Sequence, residues 1–221
     1  MRQLCSVIIA LKNLAELQFS HSIDYDNEDE HHLCSMLART LGNMEYHSIS
    51  LKRLELQGNA IGTASVKNIV RTVQRCCPDL EELNLQDISS IGYDCCETIA
   101  SLLRHPSSRL TSLDLWSCSI DDRCALLLAN ALKRNNRLHT MILGENNITV
   151  EGWKAFSALV CNKSSLIETV TSNHMLELGG IDEPLVDDLL ALNYSDDKRA
   201  VAMIKAIKFH LIKRGVVLRR I

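Results

Sequence analysis

Glu55, Glu82 and Asp114 come nearest, by type and spacing, to a catalytic set in this sequence. Each stands inside a short LxxLxL stretch, and carboxylates held side by side can act as general acid and general base. That work needs a dry pocket to raise one of the two pKa values, and the open face on which these three would lie offers none. Recognition of a polar or basic partner is the chemistry they suit. No other set competes. GxxxxGK is absent, Gly179–Gly180 is the only adjacent glycine pair, and the Ser and His residues form no nucleophile elbow. There is no CxxC pair, and His31, His32 and Cys34 do not make a zinc set. The sequence therefore predicts no enzyme, no catalytic residue, no cofactor, no metal and no small-molecule substrate.

The stretches that carry these carboxylates repeat. LKRLELQGNAIG begins at Leu51, LEELNLQDISSIG at Leu80, LTSLDLWSCSID at Leu110 and LHTMILGENNIT at Leu138. A weaker copy, LAELQFSHSI, begins at Leu14, and a degenerate one, LIETVTSNHML, at Leu166. From Leu51 the starts lie 29, 30, 28 and 28 residues apart. A second pattern follows each stretch. Val66, Ile69, Val70 and Val73 sit at i, i+3, i+4 and i+7, one face of a helix. Cys96, Ile99, Ala100 and Leu103 do the same, as do Ala125, Leu128, Ala129 and Leu132, and then Trp153, Phe156, Ser157 and Val160. In each LxL the leucines point inward from a short strand and the intervening residues point outward. One strand and one helix cannot bury their apolar faces alone, so the units must stack into a shared core. Helices are wider than strands, which makes the sheet concave.

A period of 28–30 residues with a full helix resembles the leucine-rich repeats of the ribonuclease-inhibitor class, shared by NOD-like receptors and Ran GTPase-activating proteins. The fold expected is an α/β leucine-rich-repeat horseshoe, with a parallel sheet on the concave face and helices on the convex face. Residues 1–221 read as one domain: a capping helix or half repeat over 1–13, about six repeats over 14–180 and a helical cap over 181–221. Leu4, Val7, Ile8 and Leu11 carry the N-terminal helix pattern, and an acidic insertion, DYDNEDEHH, lengthens the first strand-to-helix connection. In the last segment, Ser195-Asp196 offers an N-cap, and Ala200, Met203, Ile204, Ile207 and Leu211 make an apolar stripe. The SNHMLELGG string with a basic final helix is similar to the tails of leucine-rich-repeat proteins from diatoms and related algae.

Register assigns the outward rows. Gln18, Glu55, Asn84, Asp114, Ile142 and Val170 form one, and Ser20, Gln57, Gln86, Trp116, Gly144 and Ser172 the next. An outward Trp on an open sheet is a favoured interface anchor. Glu55, Gln57, Glu82, Asn84, Gln86, Asp114 and Trp116 are therefore the expected partner-binding residues. Asn59 and Asn146 stand where a side chain can satisfy backbone groups at the strand exit, with Cys118 in the equivalent place.

Composition agrees with a protein-binding scaffold. Among 221 residues, 46% are apolar and only 4% aromatic, which suits stacked layers of medium-sized side chains. A net charge of −3 gives no reason to expect nucleic acid as partner. Nine cysteines, an odd number without a disulfide framework, point to free core thiols in a reducing compartment, the cytoplasm, the nucleus or an organelle. No run of 18 apolar residues suggests a transmembrane helix. The expected function is a scaffold that grips a protein partner on its concave sheet, alone or as a subunit of a larger assembly. The resemblance also admits a Ran GTPase-activating-like regulator or a sensor fragment of a NOD-like receptor, although the basic C-terminus departs from the acidic tail of the former.

Overall fold

A computed structural model describes residues 15–19, 30–44, 50–181, 188–193, 195 and 197–211. Six three-residue strands form one open parallel sheet in sequential order. They are β1 (Glu16–Gln18), β2 (Arg53–Glu55), β3 (Glu82–Asn84), β4 (Ser112–Asp114), β5 (Thr140–Ile142) and β6 (Glu177–Gly179). Between them run helices α1 (Glu30–Met44), α2 (Thr63–Cys76), α3 (Tyr93–Arg104), α4 (Asp122–Leu132) and α5 (Val150–Val160), each packed on its neighbour from α1 to α5. The N-terminal helix pattern, residues 24–29 of the acidic insertion and Ser20 lie outside the described residues. The last three residues of that insertion, Glu30, His31 and His32, open α1 instead of extending the connection.

The two periodicities of the sequence meet in one core. Leu54, Leu83, Leu113 and Met141 are paired across β2 to β5 and fully buried, as are Leu56, Leu85, Leu115 and Leu143 one pleat later. The helices close the layer with Ile69, Ile99, Leu128 and Phe156. Each such side chain stabilises the fold by roughly 1.5–3 kcal/mol relative to exposure. The strands are short because the chain turns at once. Gly58, Asp87, Ser117 and Glu145, each seven residues after the leading Leu, all take left-handed φ values between 52° and 66°.

Asparagines hold the turns. Asn146 Nδ2 donates to the carbonyls of Leu115, Leu143 and Gly144, while its Oδ1 accepts from the amides of Cys118 and Ile120. Asn59 serves the carbonyls of Phe19 and Leu56 in the same way. Cys118 takes the equivalent position, its thiol donating to the Leu85 carbonyl at 3.0 Å. It is one of eight buried cysteines, none in a disulfide among the described residues. Burial pushes the Cys95 thiol up to about 11 and Cys118 up to about 12.

The C-terminal part departs from the sequence reading in three ways. Leu166–Val170 is not a strand but a short helix, α6, whose cap Ser165 accepts from the Glu168 amide at 3.1 Å. The sixth strand comes later, pairing Met141 with Leu178, so Val170 and Ser172 leave the sheet and Gly179 stands opposite Ile142. The final helix, α7 (Lys198–Ala206), is capped by Asp197, which accepts from the amides of Arg199 and Ala200; Ser195 stands outside it. Its buried side is Val201, Ala202, Lys205 and Ala206, while Met203 and Ile204 of the expected stripe are exposed. Fully buried Lys205 wins this face because its ammonium finds acceptors. It donates to the Val160 carbonyl at 2.7 Å and Asn193 Oδ1 at 2.6 Å, and stands 3.5 Å from His174 Nδ1. Burial lowers its pKa to about 8.

Candidate functional site

Alternation along β2 to β4 turns Arg53, Glu55, Glu82, Asn84, Ser112 and Asp114 to the outer face of the sheet, half-buried, while the leucine between each pair faces the core. Parallel register then aligns them. Glu55 pairs with Asn84 and Asn84 with Asp114, and in the row before, Arg53 pairs with Glu82 and Glu82 with Ser112.

The structure brings some expected residues together and commits another elsewhere. Asn84 Nδ2 donates to Gln57 Oε1 at 2.9 Å, joining two repeats, and Asn84 Oδ1 accepts from the Gln86 amide. Asp114 repeats that turn, accepting from the Trp116 amide at 2.9 Å. Gln86 leans outward to Asp87 at 3.0 Å. Glu82, by contrast, is gripped by Arg53, whose Nε and Nη2 donate to its two oxygens at 2.7 and 2.9 Å. Arg53, which the sequence reading left out, also reaches Glu16 at 3.5 Å. With both side chains still partly open to solvent this pair adds little stability, but it fixes the carboxylate in place.

Trp116 is half-buried, and the neighbouring strands explain how. Its six-membered ring covers Gly144: a Cβ placed there would lie 2.2 Å from Cζ3 and 2.5 Å from Cε3. The ring reaches on to Gly180, where a Cβ would come within 2.9 Å of Cζ3. The two glycines form a floor, and any side chain at Gly144 would fill the space the indole occupies. Asp114 stands beside it. Burial raises the Asp114 pKa, and the Asp87 carboxylate adds to the rise against the opposing pull of the Trp116 amide. No cation pairs with Asp114 among the described residues.

Among the described strand residues the outer face thus carries the carboxylates Glu16, Glu55, Glu82, Asp114 and Glu177 against one cation, Arg53. It is an acidic, open strip with one aromatic platform toward the β5–β6 end. Among the described residues no cluster of three or more His, Cys, Asp or Glu could hold a metal ion, and no helix is long and apolar enough to cross a membrane.

The model of the leucine-rich repeat family matches residues 47–70, the β2 strand and the start of α2. Six parallel strands in an open sheet, alternating with helices at that period, settle the architecture. The fold is a leucine-rich-repeat solenoid. The chain is 25% identical over 167 residues to the rat (Rattus norvegicus) NACHT, LRR and PYD domains-containing protein 1a allele 1, a match covering 76% of this chain. It is 28% identical over 153 residues to human (Homo sapiens) NACHT, LRR and PYD domains-containing protein 14, a match covering 68% of this chain. Both matches span about 13% of the length of those relatives. Leiomodin-1 actin-binding site 2 superposes with a TM-score of 0.43 at 14% identity, covering 96% of this chain and 95% of that one.

Proposed function

We propose that this solenoid is a non-catalytic interaction module that binds a basic protein surface on its concave sheet, with Trp116 as anchor. Glu55, Gln57, Glu82, Asn84, Gln86 and Asp114 form the polar surround. The observation that carries this reading is the seating of the indole on the Gly144–Gly180 floor beside Asp114, a carboxylate to which no cation is paired among the described residues. A rigid aromatic ring needs little ordering on binding, and a buried aromatic ringed by polar groups is the usual anatomy of a strong interface. The five-to-one excess of carboxylates on the face favours Lys- and Arg-rich partners, with association that weakens as salt rises.

The similarity to repeat regions of NACHT, LRR and PYD domains-containing proteins supports a second reading on the same face, in which this segment serves as the sensing repeats of a larger receptor. Both readings place the partner on the sheet. The test is affinity purification from native cells with the parent chain, Trp116→Ala and Glu97→Ala, the last an exposed change on α3. Proteins retained by the parent and Glu97→Ala but lost with Trp116→Ala support the concave site. Equal retention by all three removes it.

A further inference from the structure

We propose that the notch between the C-terminal ends of α3 and α4 binds a compact polyphosphate, independently of anything held on the sheet. The notch is a cavity of about 400 Å³, lined by Arg104, Lys133, Arg134 and Arg137 with His105 beside them, and no carboxylate lines it. That size lies within the usual range for small-ligand sites. Lys52, Arg53, Lys67, Arg109 and Lys154 are each paired with an Asp or Glu, while Arg71, Arg123, Lys163 and Arg199 are not among the described residues. What sets the notch apart is that four such cations share one cavity. The four cations of the notch have no carboxylate partner among the described residues, in a chain whose net charge is −3.

Basic residues often gather at helix C-termini merely to offset the dipole. Two helix ends present about −0.5 charge each, so one cation would balance both. Four leave a clear positive excess. The walls are also held in place. Asn135 Nδ2 donates to the Leu103 carbonyl at 2.8 Å, tying the two repeats together, while its Oδ1 accepts from the amides of Arg137 and Leu138. Asn173 of the next repeat donates to the carbonyls of Leu132 and Asn135 at 3.3 and 3.0 Å. Arg137 Nη1 donates to the Ser108 carbonyl at 3.1 Å, which aims its guanidinium.

The ligand class follows from the donors. Three of the four cations are arginines, whose planar forks match phosphate oxygens two at a time. No Phe, Tyr or Trp lines the cavity, so a nucleobase would have only the His105 imidazole and the arginine planes to stack on, and those planes are what the phosphates claim. A molecule carrying adjacent phosphates and little else fits better than a nucleotide or a single strand. The same chemistry is offered by a soluble polyphosphorylated metabolite or by a phosphorylated lipid headgroup.

Titration calorimetry with inorganic tripolyphosphate tests the site on the full chain. Saturable one-to-one binding is expected, weakened about tenfold for each guanidinium removed in Arg104→Gln and Arg134→Gln. It should be unchanged in Lys154→Gln, outside the notch. Co-sedimentation with phosphatidylcholine vesicles carrying a phosphorylated phosphoinositide separates the two sources: arginine-dependent capture assigns a headgroup, and binding of tripolyphosphate alone assigns a soluble ligand. Absence of saturable binding, equal affinity in the arginine variants, or equally tight binding of citrate would overturn the proposal. Matching melting curves of parent and variants confirm that folding is not the cause.

Discussion

Trp116 rests on Gly144, its six-membered ring occupying the place that any side chain at that position, two residues past β5, would fill. The contact joins two repeats and turns an exposed aromatic into a fixed platform. Placing Ala at Gly144 forces a methyl group to within 2.2 Å of Cζ3 in the present geometry, so the indole must lift or the strands must part. Gly144→Ala is expected to cost about 1–3 kcal/mol, the usual range for overpacking. In a Trp153→Phe background, where Trp116 is the only tryptophan, its fluorescence should shift toward that of a solvated indole. An unchanged spectrum and melting temperature would show that the ring does not lie on this floor.

The strand-exit asparagine should matter more than the cysteine that replaces it. Asn146→Ala leaves three carbonyls and two amides without their side-chain partner, most of them away from water. A loss of about 3 kcal/mol or more is expected. Cys118→Ala removes one weak donor and a small volume, for about 1 kcal/mol. Urea midpoints at constant slope measure both, and equal losses would contradict the hydrogen-bond account.

The left-handed turns predict a gain. Ser117 and Glu145 hold φ values of 53° and 52°, a region costly for any residue with a Cβ. Ser117→Gly and Glu145→Gly are each expected to stabilise or leave unchanged, by up to about 1 kcal/mol, because relief of that cost opposes the extra freedom of glycine in the unfolded chain. A clear destabilisation by both would mean that the side chains hold the turn.

Lys205 sets a pH dependence. Its folded pKa of about 8 lies below the ordinary 10.5, so between these values the unfolded chain binds the extra proton. Stability attributable to this residue therefore rises as pH climbs from 8 toward 10.5, by up to about 3 kcal/mol, and below pH 8 the full cost of burying the ammonium is paid. Burial and Lys205 both lower the pKa of His174, which adds a loss of stability as pH falls through the ordinary histidine range. Subtracting the profile of Lys205→Met from that of the parent should leave this rise. A flat difference between pH 8 and 10.5 would contradict the buried charge.

The middle repeats were legible in the sequence because two periods, one of strands and one of helices, stay in register from Leu51 to Val160. Asn59, Asn146 and Cys118 could be placed from that register alone. The last repeat was not, since the chain inserts α6 before β6 and breaks the 28-residue period. The signal was present in Ser165 and Glu168, a serine cap followed three residues later by glutamate. Lys205 was hidden for another reason: a basic helix gives no sign that one of its lysines will find three buried acceptors. The outward face was readable as a set of residues, but its internal commitments were not. Glu82 is spent on Arg53, and Trp116 depends on glycines far off in sequence, both contacts made only when neighbouring strands are laid side by side.

The central claim, that a partner sits on the sheet with the indole as its anchor, is tested most directly by titrating the recovered partner against folded variants. Trp116→Ala should weaken binding about thirtyfold or more, as loss of an interface anchor does, with Glu97→Ala indistinguishable from the parent. If Trp116→Ala folds normally and binds the partner as tightly as the parent, the concave face is not the binding site.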